Sequence, residues 1–209
     1  MLIVGAKGFA KEILEICHQR NDLENLVFYD DVNENVNLLF ERFPILKNID
    51  TAEEYFRTID RRFTLGLGNP YLRKKLADKF INIGGKLSST ISTKADIGSY
   101  KIKIGEGANI LDGVKISNDV VIGCASIIYY NSIITHDVKI GDFVEISPDV
   151  KILGRATIGN FCQLGAGTII LPDIKIGNNV IIGAGAVVTK DLPDNCTAVG
   201  IPSKIIKQN

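Results

Sequence analysis

The chain has 209 residues and a formal net charge of zero, with 24 basic and 24 acidic side chains. This balance argues against non-specific binding to nucleic acid or to an anionic membrane, because both need an excess of positive charge. The four cysteines form no close pair, so the sequence predicts neither a disulfide framework nor a metal site. No apolar run is long enough for a signal-peptide core or a membrane span, and we expect a cytoplasmic protein.

Residues 1–85 alternate short apolar runs with helical patterns. The apolar runs predict strands at residues 2–4, 26–29 and 63–67. The helical patterns predict helices at residues 9–19, from the capping box at Thr51 onward, and at residues 71–81. Strand, turn and helix in this order predict an α/β, Rossmann-like domain with a parallel sheet.

The loop after the first predicted strand carries the pattern Gly-x-x-Gly, at Gly5 and Gly8. In a parallel sheet, ligands bind at the carboxyl ends of the strands, where helix N-termini present free N–H groups to phosphate. The full dinucleotide fingerprint is absent, and Asp30 could equally be a simple cap at the end of the second strand. These residues alone leave nucleotide binding and a purely structural loop equally open.

Residues 104–188 carry a branched apolar residue at every sixth position, without insertion or deletion. These positions are Ile104, Ile110, Ile116, Ile122, Ile128, Ile134, Ile140, Ile146, Ile152, Ile158, Leu164, Ile170, Ile176, Ile182 and Val188. A helix repeats at 3.6 residues and a strand at 2, whereas a short strand followed by a turn gives a repeat of six. Three hexads make an 18-residue triangular coil. The sequence therefore predicts a parallel β-helix rather than a β-sandwich, whose loops would break the phase.

Glycine follows the branched residue of every third hexad, which predicts a tight corner along one edge of the coil. These glycines are Gly105, Gly123, Gly141, Gly159 and Gly177. The spacing slips by one residue between Ile97 and Ile104, so we expect an irregular first coil. We assign residues 86–190 to the β-helix and residues 191–209 to a tail that covers its last coil, since a solenoid end is an unpaired edge.

The chain has two histidines, His18 and His136. His18 falls on the first predicted helix, where we expect an exposed surface position. His136 should point outward from a corner, and a step of 18 residues brings Gly154 beside it, about 4.8 Å away. The neighbouring column reads Asp119, Asp137, Arg155 and Asp173. An imidazole, a carboxylate and a glycine N–H could serve as general base, orienting group and oxyanion donor, although a surface His–Asp pair without a role is the alternative.

Five segments are informative in combination. They are residues 5–12 (GAKGFAKE), the pair Asp30-Asp31, Gly68-Asn69 with Arg73, residues 136–143 (HDVKIGDF) and residues 199–204 (VGIPSK). Together they resemble the bacterial sugar acetyltransferases of the NeuD/PglD type. This family includes sialic-acid O-acetyltransferases and N-acetyltransferases of nucleotide-linked amino sugars.

The resemblance implies a left-handed β-helix, a homotrimer, and acetyl-CoA bound in the groove between neighbouring helices. It implies His136 as the general base, Asp137 as the acid that orients it, and Gly154 as the oxyanion donor. The implied acetyl-CoA-binding residues are Gly154, Gly165, Ala166, Gly167, Gly183, Ala184, Gly185 and Pro202. A nucleotide-linked sugar is implied on the N-terminal domain, at Gly5, Lys7, Gly8, Asp30, Asp31, Asn69 and Arg73.

Two residues depart from the family pattern. Glu145 stands where members often have a second histidine, which puts that histidine's contribution in doubt. Lys7 replaces a glycine, and either contacts a phosphate or is simply solvated.

The predicted reaction is direct transfer of an acetyl group from acetyl-CoA to the amino group of a nucleotide-linked sugar. O-acetylation of a sugar such as sialic acid is the alternative. A zinc-dependent carbonic anhydrase would need three histidines, a serine acetyltransferase usually has a helical N-terminal region, and a non-catalytic scaffold would leave the His136-Asp137 pair unexplained. The sequence does not select the sugar, the carrier nucleotide, the acetylated atom or the acyl group.

Overall fold

The structure, a computed structural model, describes residues 1–33 and 35–208. Contacts divide the chain into two compact units, Met1–Thr93 and Lys94–Asn209, so the first unit extends a little beyond the boundary predicted after residue 85. No helix within the described ranges is both long enough and apolar enough to cross a membrane.

The first unit is built on a sheet whose strands run in the order β3-β4-β2-β1-β5-β6. Its strands are β1 (Leu2–Val4), β2 (Val27–Tyr29), β3 (Leu38–Leu39), β4 (Phe43–Leu46), β5 (Arg62–Leu65) and β6 (Lys86–Leu87), followed by β7 (Thr90–Ile91). Its helices are α1 (Gly8–Gln19), α2 (Ile49–Thr58) and α3 (Pro70–Asn82). Neighbouring strands pair in parallel except β3 with β4. The central β1 has β2 on one side and β5 on the other, which confirms the predicted Rossmann-like α/β fold.

Helix α2 begins earlier than predicted. The capping box placed its start at Thr51, but Asn48 is the N-cap, and its side-chain oxygen accepts a hydrogen bond from the Thr51 N–H at 2.9 Å. The prediction was wrong because Asn48 is itself a strong capping residue and the next two residues fit a first helical turn. Helix α3 begins at Pro70, one residue before the predicted start, because proline is favoured at the first helical position.

The second unit is a left-handed parallel β-helix, as predicted, and all of its strands except the last two have two residues each. Its strands are β8 (Asp96–Ile97), β9 (Lys103–Ile104), β10 (Asn109–Ile110), β11 (Lys115–Ile116), β12 (Val121–Ile122), β13 (Ile127–Ile128), β14 (Ile133–Ile134), β15 (Lys139–Ile140), β16 (Glu145–Ile146), β17 (Lys151–Ile152), β18 (Thr157–Ile158), β19 (Gln163–Leu164), β20 (Ile169–Ile170), β21 (Lys175–Ile176), β22 (Ile181–Ile182), β23 (Val187–Val188), β24 (Cys196–Val199) and β25 (Lys204–Gln208). Successive strands fall on three faces in turn. Face 1 runs from β8 to β23, face 2 from β9 to β21, and face 3 from β10 to β24, with β25 antiparallel to β24.

The corners between the faces take their names from the faces they join. Corner 1–2 includes residues 117–120, 135–138, 153–156 and 171–174; corner 2–3 includes residues 123–126, 141–144, 159–162 and 177–180; corner 3–1 includes residues 147–150, 165–168 and 183–186. One residue in every hexad from Lys101 to Gly185 has a left-handed backbone, with φ between 51° and 74°. Gly, Asn and Asp favour this conformation and occupy most of these positions.

The interior of the β-helix is aliphatic. Apart from Ile104, which is partly exposed, the branched residue of every predicted hexad from Ile110 to Val188 is buried. A second buried layer lies just before the strands and includes the polar residues Ser126, Ser132 and Thr168. Their hydroxyl groups donate to corner carbonyls, so these polar side chains do not leave an unsatisfied donor inside the coil.

Corner 2–3 is tight, as the glycine pattern predicted. A Cβ added to Gly105 would lie 2.5 Å from the Cys124 backbone nitrogen, and one added to Gly159 would lie 2.5 Å from the Gly177 carbonyl oxygen. Glycine is therefore needed here for the close stacking of successive coils.

An adjoining ladder of side chains, not recognised in the sequence, also links the coils at corner 2–3. Side-chain oxygens of Asp142, Asn160, Asn178 and Asp194 accept backbone N–H groups of Cys124, Asp142, Asn160 and Asn178, at 2.7 to 2.9 Å.

Candidate active site

His136 and Asp137 lie together at corner 1–2, between β14 and β15. The imidazole Nδ1 is 2.6 Å from Asp137 Oδ2, and the two side chains are 55% and 50% exposed. With the carboxylate ionised, Nδ1–H donates to it and Nε2 keeps its lone pair directed away from the partner. Asp137 is the left-handed residue of its hexad, with φ 61°. The corner thus fixes the carboxylate beside the ring, while the role of the pair stays a prediction.

Gly154 lies beside the imidazole on the next coil. A Cβ added to Gly154 would be 2.7 Å from Cε1 and 2.9 Å from Nε2 of His136, so a larger residue here would require the ring to leave this position. The Gly154 carbonyl accepts a hydrogen bond from Asp173 N–H, whereas its own N–H donates to no acceptor among the described residues. A backbone donor near a general base is suited to stabilise an oxyanion.

Charged residues continue from Asp137 along the same corner. Arg155 forms a two-pronged ion pair with Asp173, with Nε to Oδ1 at 2.6 Å and Nη2 to Oδ2 at 2.8 Å. Lys101 lies 3.4 Å from Asp119 on the other side of Asp137. The sequence placed Asp119, Asp137, Arg155 and Asp173 in one column, but it predicted neither how they pair nor the contact of Lys101 with Asp119.

The glycine-rich segments predicted to bind acetyl-CoA lie on a different corner from His136. Residues 165–167 and 183–185 both form corner 3–1, directly after β19 and β22. Gly167 and Gly185 have positive φ, and no atom lies within 4 Å of a Cβ added to either one. Pro202 is exposed beyond β24, and the adjacent Ser203 N–H donates to the Val187 carbonyl. Glu145 begins β16 on face 3.

The first unit contains a cavity of about 300 Å³ at the carboxyl ends of β1, β2 and β5. Its lining is Val4, Gly5, Ala6, Lys7, Tyr29, Asp30, Asp31, Val32, Asn33, Gly66, Leu67, Leu72 and Leu76. Gly5 is required there by its φ of +108° and because an added Cβ would lie 2.8 Å from the Gly66 oxygen. A cavity at the carboxyl edge of the sheet, beside the first turn of α1, is the expected place for a nucleotide.

The two predicted acidic residues have different environments. Asp30 accepts hydrogen bonds from Val32 N–H, Asn33 N–H and the Asn33 side chain. Partial burial opposes ionisation, but these hydrogen bonds outweigh it and hold the pKa of Asp30 below its usual value. Asp31 accepts a hydrogen bond from the Tyr29 hydroxyl at 2.9 Å and lies 3.5 Å from Lys79 Nζ. Asp30 thus caps its own loop, and Asp31 is the carboxylate with half-exposed surface at the cavity.

The remaining predicted residues of this unit lie around the cavity rather than in its lining. Asn69 caps α3 by accepting from Leu72 N–H at 3.0 Å. Arg73 is fully buried, and its guanidinium donates to the Gly68 carbonyl, which holds the loop before α3. Gly8 begins α1, and a Cβ added to it meets nothing within 4 Å. Sequence reasoning missed Tyr29 and Lys79, because neither belongs to a recognisable motif.

No group of three or more His, Cys, Asp or Glu side chains within residues 1–33 and 35–208 could hold a metal ion.

Comparisons with known proteins connect both units to one family. Residues 1–80 match the PglD N-terminal domain, and residues 155–190 match the bacterial transferase hexapeptide, six repeats. No curated protein sequence matches the chain.

Among solved structures, the chain is similar to a histidine-to-asparagine variant of perosamine N-acetyltransferase from Caulobacter crescentus in complex with CoA and GDP-perosamine. The identity is 28%, the TM-score is 0.91, and the match covers 99% of this chain and 96% of that one. WeeI from Acinetobacter baumannii gives 28% identity, a TM-score of 0.89 and 98% coverage of each chain. The acetyltransferase domain of PglB from Neisseria gonorrhoeae gives 26% identity, a TM-score of 0.87 and 98% coverage of each chain.

A β-helix of hexapeptide repeats with an outward histidine at one corner defines a hexapeptide-repeat acyltransferase. The match of residues 1–80 to the PglD N-terminal domain distinguishes this chain from hexapeptide-repeat acyltransferases without such a domain. Over both units, the chain is similar to the PglD/NeuD-type sugar acetyltransferases of this class.

Proposed function

We propose that this enzyme transfers the acetyl group of acetyl-CoA directly to the amino group of a nucleotide-linked sugar. The observation that carries the proposal is the His136–Asp137 pair, joined at 2.6 Å, beside a Gly154 N–H that no described acceptor uses. The solved relatives support the choice of substrates. The perosamine N-acetyltransferase is in complex with CoA and GDP-perosamine, and a PglB acetyltransferase domain is in complex with acetyl coenzyme A.

The mechanism follows from the three groups at corner 1–2. His136 Nε2 takes a proton from the sugar amine as the nitrogen attacks the thioester carbonyl. Asp137 holds the ring in the tautomer that leaves Nε2 basic, and stabilises the imidazolium that forms. The Gly154 N–H donates to the oxyanion of the tetrahedral intermediate. Collapse of that intermediate breaks the carbon–sulfur bond, and the coenzyme A thiolate leaves and is protonated.

A homotrimer would complete the acetyl-CoA site. His136 lies at corner 1–2, whereas residues 165–167 and 183–185 lie at corner 3–1, so one chain presents the two parts of the site on different edges. A second helix packed alongside would bring its corner 3–1 opposite the first chain's corner 1–2 and enclose the cosubstrate. In this arrangement Gly154 contacts the thioester end, residues 165–167 and 183–185 contact the pantetheine and adenine portions, and Pro202 borders the far end.

The cavity of the first unit would hold the carrier nucleotide. Its volume of about 300 Å³ and the first turn of α1 suit a nucleoside diphosphate, with Gly5, Lys7 and Gly8 next to the phosphates. Asp31 has carboxylate surface available for a ribose or base, while Asn69 and Arg73 support the opposite loop. The free thiols of all four cysteines agree with a reducing compartment, and we propose a cytoplasmic enzyme.

The test is release of the coenzyme A thiol, followed colorimetrically with a panel of 3-amino and 4-amino nucleotide sugars, sialic acid and serine. We expect turnover with an amino sugar, and a loss of roughly 10²- to 10⁴-fold in His136→Ala. His18→Ala is the matched control, because His18 is exposed on α1 in the other unit and should leave the rate unchanged. Near-normal turnover in His136→Ala would refute the assigned base. Activity only with sialic acid would place the enzyme among the O-acetyltransferases.

A further inference from the structure

Four charged residues form a regular column along corner 1–2. Asp119, Asp137, Arg155 and Asp173 are each 18 residues apart and have nearly the same left-handed φ, at 58°, 61°, 63° and 65°. Their side chains therefore leave the backbone at equivalent positions on successive coils, about 4.8 Å apart. Arg155 stands midway between Asp137 on one side and Asp173 on the other. Either carboxylate lies one coil away from the guanidinium.

The structure uses only one of these two possible pairs. Both prongs of Arg155 go to Asp173, at 2.6 and 2.8 Å, while Asp137 is held by His136 Nδ1 at 2.6 Å. The hydrogen bond to Asp173, then the charge of Asp173, raises the pKa of Arg155, and Asp137 contributes least. The charge of Asp137 thus acts on the guanidinium, but both hydrogen bonds from the guanidinium go to Asp173.

The unused pair would compete with the proposed catalytic arrangement. A guanidinium that binds a carboxylate through two parallel hydrogen bonds is a stronger partner than a single neutral imidazole N–H. If Arg155 turned to Asp137, His136 would lose the acceptor that fixes its tautomer and its ring orientation. Lys101, which lies one coil before Asp119 on the same corner, pairs with Asp119 and is two coils from Asp137.

We infer that Asp173 is a positioning residue, which acts by holding Arg155 away from Asp137 so that Asp137 remains the partner of His136. This inference rests on the proposed role of His136. The inference gives the exposed Arg155–Asp173 ion pair a role other than stabilising the fold, because exposed ion pairs contribute little to the free energy of folding. It also requires that Arg155 be harmful only when Asp173 is missing.

The first test does not depend on activity. Long-range ¹H–¹⁵N spectra of imidazole-labelled protein report the tautomer of His136, and His136→Ala assigns the signal against that of His18. We expect one dominant tautomer, with the proton on Nδ1, in the unaltered chain and in Arg155→Gln. Asp173→Asn should give a mixed population, and Arg155→Gln combined with Asp173→Asn should restore the single tautomer. An unchanged tautomer in Asp173→Asn would overturn the inference.

The second test measures acetyl transfer by the same set of variants, with Asp173→Glu as the conservative control. We expect kcat to fall about 10- to 100-fold in Asp173→Asn, part of the ~10⁴ that loss of the orienting acid costs a Ser-His-Asp enzyme. KM for acetyl-CoA should change little, and both the double variant and Asp173→Glu should recover at least half of the original kcat. A double variant as slow as Asp173→Asn would overturn the inference. Turnover lost in His136→Ala but normal in Asp173→Asn refutes the positioning role alone. Normal turnover in His136→Ala refutes the assigned base, and no turnover of the unaltered chain with any acceptor refutes the proposed function.

Discussion

The two units of this chain bury their apolar surface in different ways. The first unit packs aromatic rings from separate elements against one another, with Phe56, Phe63 and Phe80 at centroid distances of 5.7 to 6.2 Å. The β-helix instead repeats aliphatic residues from coil to coil, and Phe143 and Phe161 stack at a corner, with parallel rings 5.4 Å apart. One core depends on particular side chains that meet once, and the other on a pattern that recurs every 18 residues.

The same difference applies to the candidate sites. In the β-helix, a residue's column follows from its number, so His136, Asp137 and Gly154 could be placed side by side by arithmetic. In the first unit, the cavity is formed by loops after three separate strands, and no spacing rule joins Asp31 to Lys79. In the periodic β-helix, the positions of the site residues therefore follow from their sequence numbers. In a site formed by loops, they do not.

The largest expected effect tests how closely the β-helix site constrains the position of the His136 ring. In Gly154→Ala the added Cβ would lie 2.7 Å from the imidazole, so the ring must move away. A misplacement of about 1 Å costs roughly 10²-fold in rate. We expect turnover to fall by about that factor in the acetyl-transfer assay, with the thermal midpoint little changed because the ring is half exposed.

Imidazole spectra provide the control for that experiment, since the His136 signal should shift in Gly154→Ala while the His18 signal stays in place. Full activity in this variant would mean that the ring has room to move, and the periodic site would then be less constrained than the contact distances indicate.

A matched pair of glycine substitutions tests the loop-built site. Gly5→Ala should destabilise the first unit by about 2 kcal/mol, because Gly5 has φ +108° and its added Cβ would meet the Gly66 oxygen. Gly8→Ala should leave stability unchanged, since nothing lies within 4 Å of the new methyl group. If a phosphate approaches Gly8 closely, Gly8→Ala should nevertheless weaken binding of a nucleoside diphosphate about tenfold or more, measured by calorimetry. Normal affinity would remove Gly8 from the proposed binding site.

The sequence predicted the repeating parts of the fold well and the non-repeating parts less well. The hexads specified the two-residue strands of the β-helix and the buried branched residue of each hexad from Ile110 to Val188. The strands β3, β4 and β6 were missed, because runs of two to four residues such as Leu38–Leu39 carry no period. The start of α2 was wrong because a weaker capping signal at Thr51 was preferred to Asn48. The burial of Arg73 was not predicted, because no sequence pattern shows that its guanidinium donates to the Gly68 carbonyl in the loop before α3.

A smaller effect is expected from breaking the ladder at corner 2–3. Asn160→Ala removes the oxygen that accepts the Asp142 N–H at 2.8 Å, and should lower the free energy of unfolding by about 1 kcal/mol. For a chain of this size that corresponds to a fall of roughly 2 to 4 °C in the thermal midpoint. Asp142→Asn is the control, because it keeps an acceptor for Cys124 N–H and should be nearly neutral. Equal destabilisation by the two variants would argue that charge, and not the hydrogen-bond ladder, links the coils.

The last experiment needs no mutation. It compares how readily each unit undergoes the local unfolding that exposes its buried cysteines. Cys124 is exposed, whereas Cys17, Cys162 and Cys196 are buried, so a colorimetric reagent should titrate one thiol per native chain and four in denaturant. Burial raises the pKa of Cys17 to about 12 and that of Cys162 to about 11, so both should react only when their surroundings open. Cys17 lies on α1 of the first unit and Cys162 inside the β-helix, where each coil is hydrogen-bonded to both neighbours. Slow modification at Cys17 before Cys162, followed by peptide mass spectrometry, would mean that the aromatic core opens more readily than the repeated one. The reverse order would mean that repetition makes local opening easier, since a single coil could separate without the rest.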